Sequence, residues 1–118
     1  GGAVPGLHPN TMGLGPVGAI KKLSQKFGYK ISDFDAIELN EAFAVQALGC
    51  MKELELDPAK VNRNGGSIAI GHPLGCSGTR ILSTLVHQMQ KNPSYKKGLA
   101  SMCIGVGQGI ALSVENCK

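Results

Sequence analysis

Asn64-Gly65-Gly66-Ser67-Ile68-Ala69-Ile70-Gly71-His72-Pro73-Leu74-Gly75-Cys76-Ser77-Gly78-Thr79-Arg80 is the stretch on which the reading of this chain turns. One titratable side chain, His72, is flanked by glycines at 65, 66, 71, 75 and 78, and Pro73 follows it directly. Glycine lifts the Cβ restriction on φ and admits backbone or ligand at close range, while proline fixes φ and donates no hydrogen bond. Downstream, Leu82, Leu85 or Val86, and Met89 recur every three to four residues, which predicts a helix from about Gly75 to Lys91, stopped by Asn92-Pro93. His72 thus lies just before a helix N-terminus, where backbone N–H groups and the helix dipole favour negative charge. Imidazole suits proton transfer near neutral pH. The plainer alternative is an ordinary histidine in a tight loop.

Outward from this stretch the chain alternates strand and helix patterns, as an α/β layer does. Ala36-Ile37-Glu38-Leu39 reads as a short strand, followed by Asn40-Glu41 and an apolar helical stripe from Ala42 to Leu54. Polar residues at the carboxyl end of such a strand stand where open α/β sheets bind ligands. Asn40 is equally suited to be a helix N-cap. Val61-Asn62 is a scrap of strand after the break at Asp57-Pro58. Gly98 to Cys103 and Ile110 to Glu115 read as two antiparallel strands joined by the turn Gly105-Val106-Gly107-Gln108-Gly109. Cys103 then sits at a strand tip beside glycines. Buried free cysteines are mostly inert, but this position suits a reactive one better than Cys50, Cys76 or Cys117.

Residues 1 to 11, with Pro5 and Pro9, are read as a loop, and Pro16 opens a helix over about 15 to 28. Gly13, Gly15 and Gly18 spell G-x-G-x-x-G, with Glu38 twenty residues on. A dinucleotide site would need a hydrophobic strand directly before the first glycine, and Leu7-His8-Pro9-Asn10-Thr11 makes a poor one. A glycine turn feeding a proline-initiated helix explains the pattern better. His72-Pro73 stands where a phosphate loop needs Lys-Ser/Thr, which removes the main support for a phosphotransferase.

The chain has 118 residues, 42% of them hydrophobic but only five aromatic, enough for one domain with an aliphatic core. A net charge of +4 is spread along the sequence with no basic stripe interleaved with aromatics, which argues against nucleic acid. Four cysteines at 50, 76, 103 and 117 have no zinc spacing and are too few for a disulfide scaffold. They are read as reduced thiols of an intracellular protein, cytoplasmic by default. No apolar run reaches the length of a membrane span. The chain opens on Gly1 rather than methionine, which hints at processing or a fragment and leaves organellar targeting open.

Taken together, these segments resemble the thiolase family. Asn40-Glu41-Ala42-Phe43 is similar to its Asn-Glu-Ala-Phe motif, the stretch from Gly65 through Gly71-His72-Pro73 to Gly78 to its Gly-His-Pro signature, and Cys103-Ile104-Gly105 to its Cys-x-Gly box. Met12-Gly13-Leu14-Gly15-Pro16 resembles the turn that opens the family's second half. The likeness runs from about residue 11 to 115. It implies the C-terminal half of a thiolase fold, a mixed five-stranded sheet with helices on both faces, with an N-terminal domain absent from the chain.

The family condenses acetyl-CoA units or cleaves 3-ketoacyl-CoA with free CoA, through an acyl group carried on a cysteine. That cysteine belongs to the missing half. By resemblance His72 activates the nucleophile and, with a water held by Asn40, hydrogen-bonds the thioester oxygen. Cys103 exchanges the α-proton, the N–H of Gly105 helps form a second oxyanion hole, and Met12 and Phe43 line the acyl pocket. CoA thioesters are implied as substrates, with no resident cofactor or metal. The full-length protein would be a dimer or tetramer, and this segment alone is expected to be inactive. The competing readings are a non-catalytic thiolase-like binding or assembly module and a nucleotide-binding half-domain.

Overall fold

The computed structural model describes residues 1–117. Among them the strands β1 (Gly2–Ala3), β2 (Ala36–Leu39), β3 (Lys97–Ile104) and β4 (Gln108–Glu115) form one mixed sheet in the order β1-β4-β3-β2. β2 runs parallel to β3, and β4 is antiparallel to both β3 and β1. The helices are α1 (Gly15–Phe27), α2 (Ala44–Glu53), the single turn α3 (Ser67–Ile70) and α4 (Leu74–Lys91). Short 3-10 segments occupy Pro9–Leu14, Ile31–Asp33 and Pro58–Lys60. This is the expected α/β class with helices on both faces.

Strand alternation decides which helix each strand residue meets. Ile37, Leu99 and Ala111 pack with Ala19, Ile20 and Leu23 of α1, and Leu39 packs with Ala47 and Cys50 of α2. On the other face Ala36 and Ala100 pack with Ile81, Leu85 and Met89, the four-residue stripe of α4. Burying each such aliphatic contributes roughly 1.5–3 kcal/mol. α1 ends at Gly28, whose φ of 70° is the left-handed cap glycine takes without strain. The glycine pattern at 13, 15 and 18 serves packing: a Cβ on Gly15 or on Gly109 would run into the other's backbone, so α1 crosses β4 main chain against main chain.

Several expected boundaries differ. Residues 1 to 11 are not simply a loop, because Gly2 and Ala3 pair with Leu112 and Ala111 and add an edge strand that two small residues do not advertise. The strand expected at Val61-Asn62 shrinks to one bridge, Ile37 to Val61, since Asn62 turns away at a φ of 47°. The sheet therefore has four strands among the described residues, not five. α2 begins two residues later than the pattern predicts, and the turn of helix α3 was not foreseen. Gly75 and Gly78 are not needed for close packing of α4: a Cβ on Gly75 meets nothing within 4 Å, and on Gly78 only the Met102 sulfur at 3.5 Å.

One buried group titrates within reach of experiment. Glu38 on β2 is 2% exposed and accepts a hydrogen bond from Gln88 Nε2 of α4. Burial pushes its carboxyl up to about 7, the Gln88 bond opposes this, and nearby Glu41 adds to it. The folded state then holds a proton that the unfolded chain releases near 4.5, so stability falls as pH rises from about 4.5 through about 7. Glu38→Gln is expected to melt at the wild-type temperature near pH 4.5 and several degrees higher at pH 8, on the order of 1–3 kcal/mol. Calorimetry across that range checks it, and equal melting temperatures at pH 8 would contradict it.

Candidate active site

The carboxyl ends of β2 and β3 are held side by side before any side chain acts. At the other end of the pair the Asp35 carboxylate accepts from the N–H groups of Lys96 and Lys97 at 2.6 and 3.0 Å, pinning the register. Leu39 stands opposite Ser101, and the Asn40 N–H donates to the Ser101 carbonyl at 2.9 Å. On the free edge of β2 the Asn62 side-chain amide replaces a strand: its Oδ1 accepts from Leu39 N–H and its Nδ2 donates to Leu39 C=O, both at 2.8 Å. Asn40 is thereby fixed from both sides.

Asn40 is not a helix cap. α2 has Phe43 at its N-cap, with no side-chain cap bond. The Asn40 side chain instead turns toward the stretch that precedes α4. Its Oδ1 accepts from Ser67 Oγ at 2.7 Å, which leaves Nδ2 facing His72 Nε2 at 3.4 Å. Arg80 Nη2 donates to Ser67 Oγ at 3.3 Å and to the Gly71 carbonyl at 2.5 Å, tying α4 back to the turn that carries His72.

His72 Nδ1 lies 2.6 Å from Ser77 Oγ, which also donates to the Pro73 carbonyl at 3.1 Å. A hydroxyl has one proton. With that proton on Pro73, the Ser77 oxygen accepts from Nδ1–H, and His72 Nε2 is left as the unprotonated nitrogen. Proton counting thus assigns the tautomer in which Nε2 can act as a base. Asn40 is 1% exposed and Ser77 fully buried, so the pair is held in a setting where such bonds weigh more than in water.

Cys103 reaches the same sheet end from β3, two residues beyond the Ser101 that binds Asn40. By alternation its side chain leaves the strand on the α1 and α2 face, whereas Asn40 and His72 meet on the α4 side. Among the described residues no hydrogen bond joins the Cys103 thiol to Asn40 or His72. Burial pushes the Cys103 thiol up, partly offset by its own backbone N–H. Cys50 is likewise raised by burial, and its thiol donates to the Gly13 carbonyl at 3.4 Å.

The remaining expected residues are less constrained. The 3-10 turn carrying Met12 packs against α2 and β3. Phe43 is 63% exposed, between Asn40 and α2. Gly105 opens the turn after β3, and a Cβ there would meet nothing within 4 Å, so nothing in this chain requires glycine at that position. Ser67, Ser77, Arg80 and Asn62 emerge as supporting residues that sequence reading missed, and Glu41, noted there with Asn40 as a polar residue at a strand's carboxyl end, joins them. Among the described residues no group of three His, Cys, Asp or Glu side chains could hold a metal, and no helix is long and apolar enough to cross a membrane.

The family description "Thiolase, C-terminal domain" matches residues 2–116. The chain is 54% identical over 117 residues to a beta-ketoadipyl-CoA thiolase of Pseudomonas putida, covering 98% of this chain and 29% of that protein. It is 55% identical over 115 residues to an acetyl-CoA acetyltransferase of Chromobacterium violaceum, again with 98% and 29% covered. Among solved structures, human mitochondrial 3-ketoacyl-CoA thiolase in complex with CoA superposes with a TM-score of 0.96 at 47% identity, over 100% of this chain and 30% of that one. The chain thus spans under a third of the length of the relatives it matches.

The four free thiols should separate by burial. Cys76 and Cys117 are exposed, Cys50 and Cys103 buried. Because the thiolate is the reactive form, Ellman's reagent at pH 8 is expected to titrate two thiols promptly and the other two only on unfolding. Cysteine-to-serine variants assign the signals, and Cys103 reacting as fast as Cys76 would refute its burial.

Proposed function

The chain belongs to the thiolase family, and from that premise we propose that its 118 residues are the C-terminal catalytic segment of an acyl-CoA acyltransferase. The reaction is thiolytic cleavage of a 3-ketoacyl-CoA or its reverse, the Claisen condensation of acyl-CoA thioesters. The observation that carries the reading is the His72 imidazole, with Nδ1 bonded to Ser77 and Nε2 turned to Asn40, at the strand end from which Cys103 also projects. The acyl-carrying cysteine comes from the part of the protein outside these residues.

In this reading His72 Nε2 takes the proton of the nucleophilic thiol, and the resulting imidazolium and a water on Asn40 Nδ2 donate to the thioester oxygen as it gains charge. Donors aimed at such an oxyanion contribute typically about 3 kcal/mol each. Cys103 handles the α-proton. Burial keeps its thiol protonated, the state that delivers a proton to the enolate released in cleavage, whereas condensation requires the thiolate first. The Gly105 N–H helps a second oxyanion hole, and Met12 and Phe43 border the acyl group. CoA thioesters are substrates, with no resident cofactor.

The partner of this segment is the remainder of the thiolase chain, and the full protein acts as a homodimer or homotetramer in an intracellular compartment. The exposed apolar side chains of Phe43, Val45, Leu48, Ile68, Ile70 and Leu74 around the site support a covering partner.

The test is acetoacetyl-CoA thiolysis by the chain fused to the N-terminal part of a bacterial thiolase. His72→Ala and Cys103→Ala are each expected to lower kcat about a hundred- to ten-thousandfold, and Asn40→Ala about a hundred- to thousandfold. Activity that survives the His72→Ala, Cys103→Ala double substitution would overturn the reading. A folded fusion that binds CoA thioesters without turning them over would favour a binding module.

A further inference from the structure

Glu41 lies next to Asn40, and its side-chain hydrogen bonds go to neither His72 nor Cys103. Its carboxylate spans two segments far apart in sequence: Oε1 accepts from Asn62 Nδ2 at 3.0 Å and Oε2 from the Ile68 N–H at 3.0 Å. Asn62 is the residue whose amide replaces a strand beside Leu39. Ile68 is in the first turn of α3, a helix with no side-chain cap of its own. The carboxylate therefore satisfies an N-terminal N–H of α3 from another segment, as an N-cap would. Gly66 makes room for it, since a Cβ there would fall 2.5 Å from Glu41 Cδ and Oε2. The φ of Gly66, −138°, suits any residue, so it is the carboxylate and not the backbone that demands glycine.

α3 is where two parts of the site originate. Its first residue, Ser67, donates to Asn40 Oδ1 and so decides which end of the Asn40 amide meets His72. Its last turn closes at Gly71, whose N–H donates to Ser67 C=O at 2.8 Å and whose successor is His72. A shift of α3 would withdraw Ser67 and leave the Asn40 amide free to turn over. Oδ1 would then face His72 Nε2, and an acceptor at that place favours the tautomer carrying its proton on Nε2.

We infer that Glu41 is a positioning residue: by clamping α3 against Asn62 it fixes the orientation of the Asn40 amide and, through it, keeps His72 Nε2 free of a proton. The inference that this serves catalysis rests on the proposed thiolase chemistry, but the clamp itself is measurable without substrate.

The experiment is 15N NMR of the His72 imidazole in the 118-residue chain, at a pH where the ring is neutral. In the wild type the proton is expected on Nδ1. Glu41→Ala is expected to change the ratio of Nδ1–H to Nε2–H forms by about tenfold toward Nε2–H, the consequence of losing roughly one hydrogen bond's worth of bias. Gly66→Ala, which displaces the carboxylate, is expected to move the ratio in the same direction, and the Glu41→Ala, Gly66→Ala double variant no further than either alone. Glu41→Gln, whose single amide oxygen can accept from only one of the two donors, should give a ratio between those of the wild type and Glu41→Ala. A residue that only stabilised the fold would lower the melting temperature without moving this ratio in the folded protein. Unchanged His72 signals in folded Glu41→Ala, or in Gly66→Ala should the first not fold, would overturn the inference. In the fusion enzyme Glu41→Ala should lower kcat with little change in KM. A shifted tautomer with unchanged kcat would keep the clamp and refute the catalytic reading instead.

Discussion

The parallel pairing of β2 with β3 is the constraint on which the remainder depends. Asp35 ties the two strands at their amino ends and the Asn40 N–H ties them at the carboxyl end, so the register cannot slide. Side chains alternate with period two, and a slip of one residue would send every one of them to the opposite face. Asn40 would then point away from Ser67 and His72, and Glu38 away from Gln88. A parallel pair also needs a long crossover. Here the segment from Asn40 to Lys96 makes that return, and carries α2, α3, the His72 turn and α4 on its way.

Given that register, the site is a chain of donors and acceptors with one consistent direction. Arg80 donates to Ser67, Ser67 to Asn40, Asn40 toward His72; from the other side His72 donates to Ser77 and Ser77 to Pro73. A buried polar network stabilises a fold only if its members are satisfied, and leaving one orphaned costs about as much as the bond is worth. The sequence stretch from Gly65 to Arg80 supplies every member of this network except Asn40. Gly66 clears space for a carboxylate, Gly71 turns out of α3 at a φ of 85°, and Pro73 leaves α4 starting with Ser77 under the imidazole. Cys103 stands outside this network, on the opposite face of the same strand ends.

Much of this was legible in the sequence because it rests on periodicity and on short polar motifs. The helix read from Leu82, Leu85 or Val86, and Met89 is present, with Ile81 rather than Leu82 on its buried stripe, and the hairpin is present with Gln108 and Gly109 in its second strand rather than in the turn. Asn40, His72 and Cys103 stood out by residue type at strand and helix ends. What stayed hidden is what depends on partners far along the chain. Gly2 and Ala3 become a strand only because β4 offers an edge, Asn62 mimics a strand only beside Leu39, and Glu41 caps a helix 27 positions ahead. None of these carries a local signal. The pattern at Gly13, Gly15 and Gly18, read as a glycine turn rather than a phosphate-binding fingerprint, includes a packing contact of Gly15 with Gly109.

The two faces of the strand ends are finished to different degrees, and the difference is physical. On the α4 side every polar atom that sets the His72 ring has its partner within the chain, so the imidazole is oriented before any substrate arrives. On the other side the Cys103 thiol is buried and held protonated, while Gly105 stands before open space and Val106 is 83% exposed. A base needs its tautomer fixed in advance, because reorientation during proton transfer would add to the barrier. A thiol that exchanges a proton with an enolate has a different requirement: it must lose that proton only when compensating charge is close by. Burial of Cys103 disfavours its thiolate, and in the proposed reading the Gly105 N–H stands free of side-chain crowding. In the proposed reading, rigidity on one face and burial beside an open turn on the other would answer two different proton-transfer problems, set at neighbouring strand ends by a single register.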